Sequence, residues 1–162
     1  MKIRELMTKH VASVRLTDST AVAARLMWDS DCGAVPVLDD DGCVIAMITD
    51  RDICMAALMR DRAPSAIPVA DVMSRDLQAC APDDNVSAAE QTMRDHQIRR
   101  LPIVDRERRL LGVLSLADIV RATGHHKGRG ARPVAHEEVA GTLADICATR
   151  ARDPNPTTSA AF

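Results

Sequence analysis

The chain has 162 residues, enough for one compact domain or two small ones sharing a core. Apolar residues make up 46% and aromatic ones only 1%, so a core must be built from Val, Ile, Leu, Met and Ala, and no aromatic platform exists for stacking single-stranded nucleic acid. A formal net charge of -2 argues against general attraction to DNA, RNA or anionic lipid.

The start, Met1 to His10, is charged and has no apolar stretch of the secretory kind. No apolar run approaches the roughly 20 residues that span a membrane. The cysteines, Cys32, Cys43, Cys54, Cys80 and Cys147, form no CxxC pair, and their odd number suits reduced thiols. A soluble, cytoplasmic protein is expected.

Taken in order, the chain repeats itself. Ile3 to Thr8 (IRELMT) returns as Val69 to Ser74 (VADVMS), a shift of 66 residues. The same shift, without gaps, superposes Asp18 on Asp84, Met27 on Met93, Pro36 on Pro102, Asp52 on Asp118 and Ile53 on Ile119. In the first copy, Asp18 reads as the N-cap of a helix ending near Ser30, with apolar Val22, Leu26 and Met27. A strand from Val35 to Leu38, an Asp/Gly turn at 39–42 and a strand from Val44 to Ile48 follow, and a second helix starts at about Asp50. The second copy reads the same way: an Asp84 cap, a helix to His96, strands at 101–104 and from Leu110, and a helix from Leu116 to Ala122. Its turn, 105–108, is charged and lacks Gly, so a different turn type is expected there.

Each copy is therefore β-α-β-β-α, too small to bury its own face, and the expected fold class is α/β (α+β), two units packed sheet to sheet plus a C-terminal helix. The expected division is 1–60 for the first unit, 61–68 for a Pro-bearing linker and 69–123 for the second unit. A basic loop (124–135), a C-terminal helix (136–150) and a disordered tail (151–162) complete it. Val139, Leu143, Ile146 and Cys147 read as one face of the last helix.

The runs Ile48-Thr-Asp-Arg-Asp-Ile53 and Gly112-Val-Leu-Ser-Leu-Ala-Asp-Ile119, each after a Pro-bearing strand and a turn, together with the leading Leu-Met-Thr and Val-Met-Ser, resemble the tandem cystathionine β-synthase (CBS) domain pair. The resemblance covers residues 3 to about 122, and the short C-terminal helix is similar in style to tails on small bacterial stand-alone members. It implies a non-catalytic sensor that binds adenine nucleotides (AMP, ADP or ATP, with NAD or S-adenosylmethionine as further candidates) between its units and needs no resident cofactor. It also implies a homodimer paired through helices.

Carried over residue by residue, the resemblance puts Thr49 and Ser115 against phosphate, and Asp52 and Asp118 on ribose hydroxyls. The chemistry is sound in itself, because a helix start offers N–H groups and a positive dipole end to an anion. The same Ser/Thr-x-x-Asp pattern is also a capping box that satisfies backbone donors and binds nothing. Arg51 lies inside the first motif, where the second has Ala117. Arg99 and Arg100, just before Leu101 and Pro102, are expected near phosphate, where the first copy has Gly33 and Ala34. The first copy has Ala46 in place of Gly112, a methyl expected to narrow its site. These differences favour the second unit's cleft, with Val11 to Val14 and Leu77 to Cys80 lining adenine.

Other readings stay open. His125, His126, the remaining histidines and Cys147 admit a metal or redox sensor, although no HxxxH or CxxC spacing is present and no metal ligand is assigned. A ligand-free scaffold for an unknown regulated protein is the other. No nucleophile elbow, P-loop or dinucleotide fingerprint is found, so no enzyme is expected.

Overall fold

The structure is a computed structural model that describes residues 1–124 and 136–148, so most of the expected basic loop, with His125 and His126, and the expected tail lie outside the described residues. The first repeat gives β1 (Val14–Arg15), α1 (Thr20–Asp29), β2 (Ala34–Leu38), β3 (Val44–Thr49) and α2 (Asp50–Arg60). β2 pairs parallel with β1 and antiparallel with β3. The second repeat gives α3 (Val86–His96), β4 (Arg100–Val104), β5 (Leu110–Ser115) and α4 (Leu116–Gly124), and α5 (His136–Cys147) follows. No helix among the described residues is long and apolar enough to cross a membrane.

The second repeat lacks the expected first strand. Cys80 makes one parallel bridge to Ile103 and the pairing stops, leaving β4 and β5 as a two-stranded sheet. Two residues on stands Pro82, where the first copy has Leu16. Proline has no N–H to continue the ladder.

The leading segments of the repeats are exchanged in space. Ile3 is fully buried in the core of the second unit, with Met93, Leu101 and Ile119. Val69, its counterpart, is buried in the core of the first unit, with Met27, Val35 and Ile53. The exchange explains why the helix caps differ from expectation. Ser19 and Asn85 occupy the N-cap positions and use no side-chain bond. The first helical donors are instead met by the exchanged backbone: Thr20 N–H donates to Ile67 O (2.8 Å) and Val86 N–H to Met1 O (3.2 Å). Asp18 and Asp84 sit one residue earlier and accept from the N–H groups of Arg15 (2.7 Å) and Ala81 (2.8 Å), closing the preceding turns.

The two hairpin turns are alike, contrary to the expectation of different types. Asp39 accepts from the N–H of Gly42, and Asp105 from that of Arg108, at 3.1 Å in both. Gly42 has φ +81° and Arg108 has φ +63°. The side-chain carboxylates at 39 and 105 bond the N–H groups of Cys43 and Arg109, at 2.8 Å each. The Asp at the turn's first position sets the geometry, and Arg108 is held left-handed without glycine's freedom. The turns also join the units, since Val44 N–H donates to Arg108 O (2.9 Å) and Cys43 bridges Arg109.

α5 docks on α3 through Val139 and Ile146, both buried with Met93 and Ile119, and through Thr142, fully buried between them. Leu143 and Cys147, expected on this face, are exposed. The buried positions follow i, i+3, i+7, so the apolar stripe is narrower than the sequence suggested and is interrupted by a threonine. Thr142 takes a hydrogen bond from Arg94 (2.8 Å) and donates its hydroxyl to the Glu138 carbonyl (2.9 Å), with the carboxylate of the buried Glu90 a longer 3.4 Å from it. Burial first, and the charge of Glu138 second, raise the Glu90 carboxyl above its ordinary range, against Arg94 and Thr142.

Candidate functional site

Both helix starts that follow β3 and β5 form full capping boxes. The Thr49 N–H and hydroxyl donate to one oxygen of Asp52 (2.9 and 2.7 Å), while the Asp52 N–H donates to the Thr49 hydroxyl (3.2 Å). The second copy matches: the Ser115 N–H and hydroxyl donate to Asp118 (2.8 and 2.6 Å), whose N–H returns to the Ser115 hydroxyl (3.2 Å). Each box spends one carboxylate oxygen and leaves the other facing outward.

Two clefts open at these helix starts. One, of about 600 Å³, is lined by Thr49, Arg51 and Asp52 together with Ser74, Gln78 and the segment from His96 to Arg100. The other, of about 500 Å³, is lined by Ser115, Ala117, Asp118 and Arg121 together with Thr8, Val11, Ala12, Cys32 and the segment from Ala34 to Pro36. The 66-residue shift maps one set onto the other: Ser74 on Thr8, Gln78 on Ala12, Arg100 on Ala34. The clefts are thus pseudo-symmetric, and each combines the helix start of one unit with the pre-strand segment of the other.

That crossing revises the expected grouping. Arg99 lies in the cleft of Thr49 and Asp52, not with Ser115 and Asp118. Arg100 lines both clefts. Pro102 is buried in β4 opposite Val113 and lines neither. Of the expected adenine-lining strands, Val11, Ala12 and Gln78 reach the clefts, whereas Val14 and Cys80 are core residues.

Ala46 does not narrow a site, since it is fully buried in the first core. The constraint lies on Gly112. A Cβ there would sit 2.5 Å from Thr8 O, because the chain at Thr8 bridges Val113 directly above it. Gly112 thereby holds the wall of the cleft of Ser115 and Asp118 against β5.

Arg121 was not singled out by the sequence. It pairs with the outward oxygen of Asp118, itself 9% exposed. The i, i+3 spacing on α4 was the available signal. Met55 stands at the corresponding place in the first repeat, so α2 offers Asp52 no cation at i+3.

All five cysteines are free. Burial, and then the charge of Asp84, push the Cys80 thiol up and away from its reactive thiolate form, against a Thr92 hydrogen bond. No group of three or more His, Cys, Asp or Glu among the described residues could hold a metal ion.

Comparison with known proteins agrees with this architecture. The protein YhcV of Bacillus subtilis (strain 168), a CBS domain-containing protein, is 35% identical over 74 residues, 44% of this chain and 52% of that relative. The chain thus spans about half the length of that relative. Hypoxic Response Protein I, solved with two coordinated zinc ions, superposes with a TM-score of 0.68 at 28% identity, over 75% of this chain and 98% of the other. The CBS domain pair of protein MJ0100, in complex with 5-methylthioadenosine and S-adenosyl-L-methionine, superposes with a TM-score of 0.70 at 24% identity, over 78% of this chain and 98% of the other. Residues 3–59 and 69–125 each match the CBS domain, so the chain belongs to the CBS domain family and carries the domain twice in tandem.

Proposed function

We propose that this chain is a non-catalytic regulatory module that binds an adenine nucleotide in the clefts between its two CBS units and transmits occupancy to a partner protein as a change in how the units pack. The carrying observation is the pair of pseudo-symmetric clefts, each with a hydroxyl and a carboxylate at a helix start and each reached by Arg100. Such a set suits a phosphorylated ribonucleoside: the hydroxyl and helix N-terminus for phosphate, the carboxylate for a vicinal diol, and the arginines for charge. The adenosine-containing ligands of the MJ0100 domain pair support the same ligand class.

The sequence favoured the cleft of Ser115 and Asp118, but the side-chain geometry supports the cleft of Thr49 and Asp52 as the tighter site. It holds Arg51, Arg99 and Arg100, and among the described residues no arginine is ion-paired with Asp52 as Arg121 is with Asp118. In the other cleft a ligand must first displace Arg121 from Asp118. AMP, ADP and ATP are the leading ligands, with NAD and S-adenosylmethionine behind them. We further propose that the module is a cytoplasmic homodimer that neither requires a resident cofactor nor binds a metal.

Thermal melts of nucleotide-stripped protein test the reading, with AMP, ADP, ATP, NAD and S-adenosylmethionine against the parent, Asp52→Ala and Asp118→Ala. A ligand at 100 times its Kd adds about 2.7 kcal/mol. That raises the midpoint of a chain this size by about 5–10 °C. Each substitution also removes a cap worth about 1 kcal/mol, so the readout is the ligand-induced shift within each variant. A shift abolished by Asp52→Ala and reduced by Asp118→Ala is expected. The absence of a shift with every nucleotide overturns the reading in favour of a ligand-free scaffold.

A further inference from the structure

The two clefts meet at one position of the repeat. Ala34 and Arg100 correspond under the 66-residue shift, and each lines both clefts. In their sheets Ala34 pairs with Thr49 and Arg100 with Ser115, so each stands across from the residue that starts a helix. Only one of the two carries a charge. The Arg100 backbone belongs to the cleft of Ser115, but its side chain turns toward the other. A Cβ on Gly33 would lie 3.7 Å from Arg100 Nη2 and 2.9 Å from Asp50 Oδ2, and both Gly33 and Asp50 line the cleft of Thr49. Arg100 is half-buried and, among the described residues, makes no ion pair. Its neighbours differ between the clefts. The cleft of Thr49 has exposed Arg51 and Arg99 as well, whereas the other arginine of the Ser115 cleft, Arg121, is held by Asp118.

We propose that Arg100 is one cation shared by two phosphate subsites, so that a phosphorylated ligand held in either cleft weakens the binding of a second in the other. The inference rests on the nucleotide reading of the clefts and adds that their occupancies are coupled, with a negative sign. A guanidinium that makes a two-pronged contact with one phosphate has its fork turned away from the other. The second phosphate then enters a cleft that has lost its uncommitted cation. It also meets the like charge of the first ligand across a half-buried centre, where charges are screened less than in open water. An order of filling follows. The guanidinium already reaches toward the cleft of Thr49, where Arg51 and Arg99 add to it, so that cleft takes the first phosphorylated ligand. The cleft of Ser115 is then left to a ligand with little or no charge beyond the sugar, since Asp118 still offers its carboxylate to a vicinal diol. The weakening is mutual by linkage, so it can be read from either cleft.

Titration calorimetry of nucleotide-stripped protein with AMP and with adenosine tests this, carried to concentrations well above those of the melts so that the weaker cleft fills. The cleft of Thr49 is closed by Ser74→Trp and, in a second variant, by Gln78→Trp, fillers at residues that line this cleft and not the other. AMP is expected to bind the Ser115 cleft at least about fivefold more tightly in the closed variants than as the second ligand of the parent. Adenosine, which has no phosphate, should show no such gain. Arg100→Gln, added to the parent and to each closed variant, should remove the gain for AMP. An equal Kd of AMP for the Ser115 cleft in parent and closed variants overturns the coupling, and so does a gain that survives Arg100→Gln. A gain of the same size with adenosine overturns the part given to phosphate. A parent that saturates at one AMP supports the proposal if the closed variants still take one, and overturns it if they take none. Two AMP bound by both closed variants overturns the placement of the first subsite and the proposal with it. A parent that binds neither ligand overturns the nucleotide reading itself, an outcome distinct from uncoupled binding in two clefts.

Discussion

Gly112→Ala tests the tightest approach found at a described glycine. The added Cβ would lie 2.5 Å from Thr8 O and 3.3 Å from Met7 Sδ. Ordinary carbon–oxygen contact needs nearly another ångström, and the obstruction is backbone, so the strand at Thr8 must lift off β5. Lifting it breaks two hydrogen bonds, Thr8 N–H to Val113 O (2.9 Å) and Val113 N–H to Thr8 O (3.0 Å). At about 1 kcal/mol each, these give about 2 kcal/mol, and displacing Met7 against the core adds about 1 kcal/mol. The total, about 3 kcal/mol, lowers the thermal midpoint of a chain of this size by about 6–12 °C. Urea denaturation of parent and variant gives the free-energy difference directly, read at constant slope. Thr8 also lines the cleft of Ser115 and Asp118, so ligand binding there should weaken in step, while the cleft of Thr49 and Asp52 is spared. The mirror substitution, Ala46→Gly, removes a buried methyl and loosens the backbone without relieving any clash, at a cost of about 1–2 kcal/mol. A Gly112→Ala variant within 0.5 kcal/mol of the parent, by about the noise of surface substitutions, would refute the close approach.

Arg108→Gly should stabilise the protein by about 0.5–1 kcal/mol, because Arg108 sits at φ +63° and its bond to Val44 uses only the backbone; a melt showing a loss would refute the account. Glu90→Gln should flatten the pH dependence of stability. The folded-state pKa of Glu90 is raised, so its contribution is complete below the ordinary carboxylate range and fades as the pH climbs through the raised value. Midpoints of parent and variant from about pH 4 to 7 should therefore diverge upward, the variant gaining on the parent; parallel curves would remove the cause assigned to Glu90.

Much of the fold could be read without coordinates because it is written locally. The α1 and α3 spans follow from apolar spacing, the hairpins from their Asp-led turns, and the two-unit architecture from a gap-free repeat. The capping boxes at Thr49 and Ser115 were legible for the same reason: their partners lie three residues apart. The Arg121–Asp118 pair has the same short spacing, but a single i, i+3 pair on a helix is common and singles out nothing. Val139 and Ile146 were placed correctly on the buried face of α5, but Leu143 and Cys147 were not, because helical periodicity gives a stripe without saying which edge meets α3.

The sequence by itself determined that there are two similar β/α units and most of the elements each contains, the first strand of the second unit excepted. Helix, turn and repeat are short-range matters of backbone propensity and side-chain period. Tertiary structure alone decided that Ile3 and Val69 trade units, that Arg99 joins Asp52 and not Asp118, that Gly112 lies under Thr8, and that α5 covers α3 and leaves Trp28 on α1 exposed. A repeat makes two segments equivalent, but it leaves open which copy of one segment packs on which copy of the other. That choice rests on contacts between residues well separated along the chain, such as Val69 with Met27 or Arg99 with Asp52, where excluded volume and burial, rather than local preference, select the partner.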